Sequence, residues 1–252
     1  MFFSLKINLL PYFRNNNLNF NLAYLMKTQS SYFKQLAAKT WFPYVTPFVI
    51  FLLLTEPARF YPALIPFLYI AKTLIVGALL WFWRHTYAAD WSSGLSFKEF
   101  LLAFSCGILV LVIWILPEEY LFQVGQGAGF NPYALGGSQA AAIGLICVRL
   151  IGSSVVVPIM EELFWRSFMM RYLINADFRS VSLGTFTWFS FIGIAVLFGL
   201  EHHRILVGIF AGLLYGLLLI YQKNLRGVIL AHAVTNLGLG IYVLLTGNWM
   251  FW

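Results

Sequence analysis

Residues 205–221 read ILVGIFAGLLYGLLLIY, seventeen residues without one charged side chain. A helix needs about 17 to 25 apolar residues to cross the hydrocarbon core of a bilayer. Comparable apolar runs lie near residues 41–55, 61–83, 101–117, 139–160, 183–201 and 227–246. The pattern predicts an all-α fold, a polytopic transmembrane bundle of about seven helices. Six or eight crossings stay open, because the first run is short and contains Pro43 and Pro47.

The composition of the whole chain agrees with this reading. Of 252 residues, 61% are hydrophobic and 10% are charged, with 25 Phe and 9 Trp, and the mean hydropathy is +0.80. Soluble domains carry about a quarter charged residues, so a soluble, a disordered or a rod-like protein is excluded. The two cysteines, Cys106 and Cys147, lie in apolar runs and support neither a disulfide framework nor a cysteine zinc site.

The distribution of basic residues explains the net charge of +7. In a soluble protein this charge would favour nucleic acid as a partner, but membrane proteins collect Lys and Arg in cytoplasmic loops. With a cytoplasmic N-terminus, Arg59 and Arg204 are external and twelve basic residues are cytoplasmic: Lys6, Arg14, Lys27, Lys34, Lys39, Arg84, Lys98, Arg166, Arg171, Arg179, Lys223 and Arg226. The outer loop Pro117–Ser138 carries Glu118 and Glu119 but no base. No nucleic-acid partner is therefore expected.

The chain divides into a tail and a membrane domain. Residues 1–40 have short apolar pieces and no signal-peptide cleavage site, so they are interpreted as a cytoplasmic tail, with Met26 an equally good start. Residues 41–252 form the predicted membrane domain. Gly208, Gly212 and Gly216 share one helical face, which favours close helix packing over a second option, admission of a substrate backbone.

Polar side chains inside apolar segments cost a few kcal/mol each, so each needs a partner or a task. Residues 161–166 read EELFWR, and on a helix Glu162 lies one turn from Arg166 and can pair with it. Glu161 points about 100° away from Glu162, which leaves its carboxylate available. A structural ion pair is the simpler interpretation of Glu162 and Arg166, whereas Glu161 is a candidate functional group.

Two more polar motifs follow. Residues 198–202 read FGLEH and place His202 one turn after Phe198. The adjacent His203 is an alternative imidazole. Phe198 is interpreted as a wall of the site at most. Residues 232–236 read HAVTN and place His232 and Asn236 on one helical face, where hydrogen bonding between helices is the simpler alternative.

Carboxylate, imidazole and amide groups together can activate water and stabilise an oxyanion. They can also bind zinc. Lys72 and Arg149 lie mid-segment, and each either lines a cavity or pairs with a buried acid.

In order, EExxxR, FxxxH and HxxxN resemble the three signature motifs of the CPBP family, which includes the type II CAAX prenyl endopeptidases and related bacterial intramembrane proteases. The resemblance covers about residues 155–245, within a predicted catalytic core of about 139–246. Residues 165–168, WRSF, and 246–252, TGNWMFW, further resemble the CAAX-protease-related branch associated with bacterial exosortase (PEP-CTERM) systems.

The resemblance implies a role for each motif residue. Glu161 would activate the attacking water with help from His202, while His232 and Asn236 would hold the oxyanion. Glu162, Arg166 and Phe198 would support the site. In an older interpretation of the family, Glu161, His202 and His232 bind a zinc ion. Both mechanisms stay open; the expectation is a site without a cofactor, and zinc is the alternative.

The resemblance therefore implies an intramembrane endopeptidase of the bacterial inner membrane. Its expected partners are the lipid bilayer, a membrane protein or peptide substrate, and components of an exosortase system. A non-catalytic scaffold of a sorting machinery and a proton-coupled transporter are the alternatives. The predicted boundaries place Glu161 and His232 toward the cytoplasm but His202 on the outer side. A kink near Pro158, or a fourth helix that continues through Tyr172, would bring them together.

Overall fold

A computed structural model describes residues 34–91, 94–116, 129–135 and 137–252. Regular secondary structure in these ranges is helical throughout, without a strand. The chain separates into two compact units, residues 1–42 and 43–252. In the first unit the described residues form one helical turn at 34–37. Most of the predicted tail, together with Glu118 and Glu119, lies outside the described residues.

Each of the seven predicted apolar segments forms a helix, which confirms the all-α polytopic fold. The helices are α1 Phe42–Thr55, α2 Ile65–Phe82, α3 Phe97–Ile115, α4 Gln139–Tyr172, α5 Trp188–Leu200, α6 Ile205–Gln222 and α7 Leu225–Thr246. Five of them are long and apolar enough to cross a membrane, and α1 and α5 are shorter apolar helices. Short helical elements are Pro57–Phe60, Pro62–Leu64, Ala88–Asp90, Pro132–Leu135, Phe178–Ser180 and Trp249–Phe251.

Helix α4 is longer than predicted and irregular. Its expected end at residue 160 is wrong: the helix spans 34 residues and continues through Tyr172, as in the alternative considered above. Two stretches widen to π-helix, Gly152–Val156 and Leu163–Met169. Pro158 has no N–H to donate one turn back, and a wider turn is one way to accommodate the missing bond. The first π stretch directly precedes the turn that contains this proline.

The continuation of α4 also corrects one charge assignment. Arg166 was placed in a cytoplasmic loop, but it is fully buried within α4. A cluster of charges in the sequence resembles the end of a membrane span, and here those charges pair inside the protein instead. Arg166 therefore does not contribute to the bias of basic loop residues.

Polar caps explain where other helices begin. Helix α3 begins four residues earlier than the predicted run because Ser96 and Glu99 form a reciprocal capping box. The Ser138 side chain accepts a hydrogen bond from the N–H of Ala141 at the start of α4. The Asn224 side chain does the same for Arg226 at the start of α7. These caps satisfy N–H groups that have no partner within the helix.

Helix α6 packs closely against α5 along the predicted glycine face. A Cβ atom on Gly212 would lie 2.8 Å from Cα of Ala195, and one on Gly208 would lie 2.9 Å from Cα of Gly199. A Cβ atom on Gly216 would meet the ring of Phe191 at 2.9 Å. These distances are too short for a side chain, so the packing interpretation of the glycines is confirmed.

Helix α7 is surrounded by α3, α4 and α6. The Thr235 hydroxyl on α7 donates to the carbonyl of Gly107 on α3 at 2.8 Å and accepts from the Tyr215 hydroxyl on α6 at 2.7 Å. Gly107 also lets α3 approach the backbone of Ala231. These contacts fix the three helices that face the carboxylates of α4.

Candidate active site

The two adjacent carboxylates of α4 have different surroundings. Glu161 is 5% exposed and lines a cavity, whereas Glu162 is fully buried. Glu161 Oε2 makes no hydrogen bond to any described residue. The rotation of about 100° between successive helical residues separates the two side chains in this way. Glu161 is thus oriented toward the cavity with an oxygen available to a bound molecule.

Glu162 joins two helices through one oxygen. Its Oε1 accepts a hydrogen bond from Arg166 Nη1 at 3.1 Å, which confirms the predicted pair, and lies 2.8 Å from His232 Nδ1. A carboxylate oxygen accepts, so Nδ1 of His232 carries a proton. The other ring nitrogen, Nε2, is directed at Glu161 Oε2 at 3.9 Å. Glu162 therefore orients His232 toward the cavity carboxylate.

Aromatic rings enclose the Arg166 guanidinium. Its centre lies 4.3 Å from the ring centroid of Phe198 and 5.5 Å from that of Tyr215. Tyr215 in turn stacks on His232, with centroids 5.2 Å apart and an interplanar angle of 26°. Cation–π contacts of this kind partly offset the desolvation of a buried arginine. Phe198 thus forms a wall shared by Arg166 and the cavity.

His202 lies in the short turn between α5 and α6. Its Nδ1 is 2.7 Å from the carbonyl oxygen of Phe198, and its ring makes an edge contact with Trp114 at 5.2 Å. A carbonyl accepts, so Nδ1 carries the proton and Nε2 has a free lone pair. Burial lowers the pKa of His202 to about 4, so the imidazole is neutral at pH 7. His203 is exposed and does not line the cavity.

Asn236 connects α7 to the first π stretch of α4. Its Nδ2 donates to the backbone carbonyl of Ser153 at 2.8 Å. The widened turn between Gly152 and Val156 includes Ser153. A carboxamide has a second N–H, and Asn236 lines the cavity. The side chain is thus anchored by one N–H and can offer the other to a ligand.

One cavity of about 200 Å³ is lined by all four predicted catalytic residues. Its walls are Trp114, Arg149, Ser153, Val157, Glu161, Phe198, His202, Ala211, Tyr215, His232, Thr235, Asn236, Leu239, Gly240, Phe251 and Trp252. The expected separation of His202 from Glu161 and His232 is therefore wrong, because α4 continues past the motif. Glu162 and Arg166 do not line the cavity.

Several wall residues have no signal in the sequence that marks them as part of a site. Trp114 comes from the end of α3, which Arg204 holds through hydrogen bonds to the carbonyls of Trp114 and Leu116. Phe251 and Trp252 come from the segment after α7. Sequence reasoning assigned no role to Glu201. It accepts a hydrogen bond from Trp165 Nε1 at 3.0 Å and interacts electrostatically with Glu161.

The suggested zinc ligands do not form a metal site in this arrangement. No group of three or more His, Cys, Asp or Glu side chains in the described ranges is placed to hold a metal ion. His232 Nδ1 is 2.8 Å from Glu162 Oε1, and its Nε2 is 3.9 Å from Glu161 Oε2. A zinc ion needs its nitrogen and oxygen ligands about 2.0 to 2.2 Å away around one centre.

Residues 143–238 match a family model described as type II CAAX prenyl endopeptidase Rce1-like. The matched stretch covers less than half of the chain. It runs from α4 into α7 and includes Glu161, His202, His232 and Asn236. Comparison with curated proteins and with solved structures gave no match. The chain is thus a multi-pass membrane protein whose core is similar to CAAX-type intramembrane proteases, while the exosortase-associated branch stays a prediction.

Proposed function

We propose that this protein is an intramembrane endopeptidase that hydrolyses a peptide bond with a water molecule activated by Glu161. One observation carries the proposal: Glu161 Oε2 has no hydrogen-bond partner among the described residues and faces a cavity that His202, His232 and Asn236 also line. A buried carboxylate without a partner is costly, and such costs are tolerated mainly where a group has a task. The family match over residues 143–238 supports the same chemistry.

In the proposed reaction Glu161 accepts a proton from water as the water oxygen attacks the carbonyl carbon. The carbonyl oxygen becomes an oxyanion, which the second N–H of Asn236 stabilises. The carbon–nitrogen bond then breaks, and the proton held by Glu161 passes to the leaving amine. Neutral His202 assists as an acceptor through Nε2. This scheme balances without a covalent enzyme intermediate.

The proton on His232 decides its part in the reaction. Because Nδ1–H is used by Glu162, a neutral His232 has only a lone pair at Nε2 and cannot donate to an oxyanion. A protonated His232 donates from Nε2, which lies 3.9 Å from Glu161 Oε2. We therefore assign oxyanion stabilisation to Asn236 first and to the imidazolium form of His232 second.

The substrate class follows from the membrane setting. We propose membrane proteins or membrane-associated peptides of a bacterial inner membrane, with components of an exosortase system as partners. The competing transporter hypothesis used Lys72, Arg149 and the histidines as an ion path. Lys72 does not line the cavity; it hydrogen-bonds Thr55 at 3.2 Å and lies over the rings of Phe51 and Tyr69. No described contact therefore connects it to the histidines.

The test is cleavage of a membrane-peptide library by the purified protein in detergent, with products identified by mass spectrometry. Wild type should cleave, and Glu161→Gln should lose at least about 100-fold in rate because an amide cannot act as a base. Glu99→Gln is the control, since Glu99 is a capping carboxylate at the start of α3 and does not line the cavity. Cleavage that survives in Glu161→Gln would refute the mechanism.

Metal dependence is tested in the same assay. Bound zinc is quantified in the purified protein, and the library is offered with and without a chelator. The proposal predicts cleavage that does not respond to chelation. Stoichiometric zinc whose removal abolishes cleavage would instead make Glu161, His202 and His232 ligands of a metal.

A further inference from the structure

Arg149 is a half-buried cation on the wall of the cavity, without an acidic partner among the described residues. Its guanidinium makes no hydrogen bond or ion pair with any described residue, although its side chain lines the cavity that contains Glu161. Other arginines of the interior differ in this respect. Arg166 pairs with Glu162, Arg171 pairs with Asp90, and Arg204 donates to backbone carbonyls.

Three aromatic rings hold the guanidinium of Arg149 in place. Its centre lies 4.7 Å from the ring centroid of Tyr69, 5.3 Å from that of Phe130 and 5.2 Å from that of Trp252. Ring faces attract a cation but supply no negative charge and no strong hydrogen-bond acceptor. The planar N–H groups of the guanidinium therefore remain available to a molecule in the cavity. Their geometry matches a carboxylate, which can accept two parallel hydrogen bonds.

We propose that Arg149 binds a carboxylate of the substrate and thereby sets which peptides reach Glu161; the proposal rests on the endopeptidase function above. A half-buried cation on an apolar helix is costly without a counter-ion. A bound anion removes that cost, whereas a neutral substrate does not. The structure thus favours substrates that carry a carboxylate over otherwise identical neutral ones.

The spacing on α4 limits how far this carboxylate lies from the bond that is cut. Arg149 and Glu161 are twelve positions apart in the sequence, which corresponds to at most about 18 Å along a helix at about 1.5 Å per residue. An extended peptide advances about 3.3 Å per residue. The carboxylate of the substrate therefore lies within about five residues of the scissile bond. Both a C-terminal carboxylate and an Asp or Glu side chain supply this chemistry.

Binding rather than cleavage gives a test that does not depend on the catalytic proposal. Fluorescent apolar peptides are prepared with a free C-terminal acid, with a C-terminal amide, and with an amide plus one internal Glu. Their affinities are measured by fluorescence anisotropy in detergent for Glu161→Gln, which does not consume them. Arg149→Gln and Lys72→Gln are then added separately to this background. Lys72 is the matched control because it also lies over Tyr69 but does not line the cavity.

The carboxylate peptides should bind about tenfold or more tightly than the neutral peptide, because a hydrogen bond to a charged group is worth that much. Arg149→Gln should abolish this preference, and Lys72→Gln should keep it. Arg149→Lys should keep part of it, since lysine retains the charge but not the planar pair of donors. Comparison of the acid with the internal Glu peptide identifies which carboxylate is recognised.

Three results would overturn the proposal: equal binding of acid and amide peptides, an acid preference that persists in Arg149→Gln, or no binding of any peptide. Loss of fold is separated by thermal unfolding of each variant. Failure of the endopeptidase proposal has a different signature. In that case the wild type cleaves nothing, whereas the binding assay still reports whether carboxylate peptides are preferred.

Discussion

Two buried clusters of charged residues in this protein differ in how many of their polar atoms form hydrogen bonds. In one, Asp90 accepts from Arg171 Nη2 at 2.7 Å through Oδ1 and from the Tyr44 hydroxyl through Oδ2. The remaining nitrogens of Arg171 donate to backbone carbonyls of Ser167 and Val181. In the other cluster, Glu161 Oε2, Glu162 Oε2 and two nitrogens of Arg166 have no hydrogen bond to a described residue. The first cluster is saturated and the second is not.

The difference separates a structural role from a functional one. A buried charge cluster whose hydrogen bonds are complete positions its helices and has no capacity left for a ligand. Within the unsaturated cluster, Glu161 lines the cavity, and its Oε2 is available to a molecule that enters. Completeness of hydrogen bonding, rather than the presence of charge, therefore distinguishes the candidate active site from the other buried ion pair.

The largest expected effect on stability belongs to the saturated cluster. Asp90→Asn removes the charge that compensates Arg171, and breaking a buried pair costs about 3 to 5 kcal/mol. We expect a marked fall in the thermal unfolding temperature, with cleavage per folded molecule unchanged. Asp177→Asn serves as the control, because Asp177 is exposed in a turn. A destabilisation of Asp90→Asn no larger than that of Asp177→Asn would contradict the structural role.

On the cavity that Glu161 lines, Asn236→Ala removes the proposed oxyanion donor. Loss of one such donor typically lowers kcat by about 100- to 1,000-fold, and kcat should fall more than KM changes. The measurement is steady-state cleavage of the peptide that the wild type cuts. Asn175→Ala, in the exposed turn after α4, should leave both constants as they are. A change in KM alone would mean that Asn236 binds substrate without stabilising the transition state.

The smallest effect concerns packing outside both clusters. Gly212→Val places a branched side chain against the backbone of Ala195, where a Cβ atom alone would already be 2.8 Å from Cα. Such overpacking costs about 1 to 3 kcal/mol. Gly144→Val is the matched control, because a Cβ on Gly144 meets nothing within 4 Å. Equal unfolding temperatures for the two variants would show that α5 and α6 separate easily.

The sequence predicted those features of the fold and of the site that follow from local patterns. Apolar runs predict the seven helices, because burial in a bilayer needs continuous apolar length. Motif spacing predicts the pair of Glu162 with Arg166 and directs attention to Glu161, since neighbours on a helix follow from its period. The predicted end of α4 is wrong because charges inside a protein and charges at a membrane surface look alike in a sequence.

Contacts between distant segments were beyond that reasoning. Asp90 and Arg171 are 81 residues apart in the chain, and no periodic pattern connects them. The same holds for Trp114 at the end of α3 and for Phe251 and Trp252 after α7, which reach the cavity only after folding. For Arg149 the sequence left open a place on a cavity wall and a pair with a buried acid, and the choice between them required the packing of α2, α4 and the segment after α7.

The central claim is that Glu161 does chemistry while Asp90 maintains structure, and one measurement compares them directly. Single-turnover cleavage rates and unfolding temperatures are measured for wild type, Glu161→Gln and Asp90→Asn at a temperature at which all three are folded. We predict that Glu161→Gln loses at least about 100-fold in rate at an unchanged unfolding temperature, and that Asp90→Asn does the reverse. A Glu161→Gln variant that cleaves as fast as the wild type, or whose loss of activity parallels a loss of stability, would contradict this account.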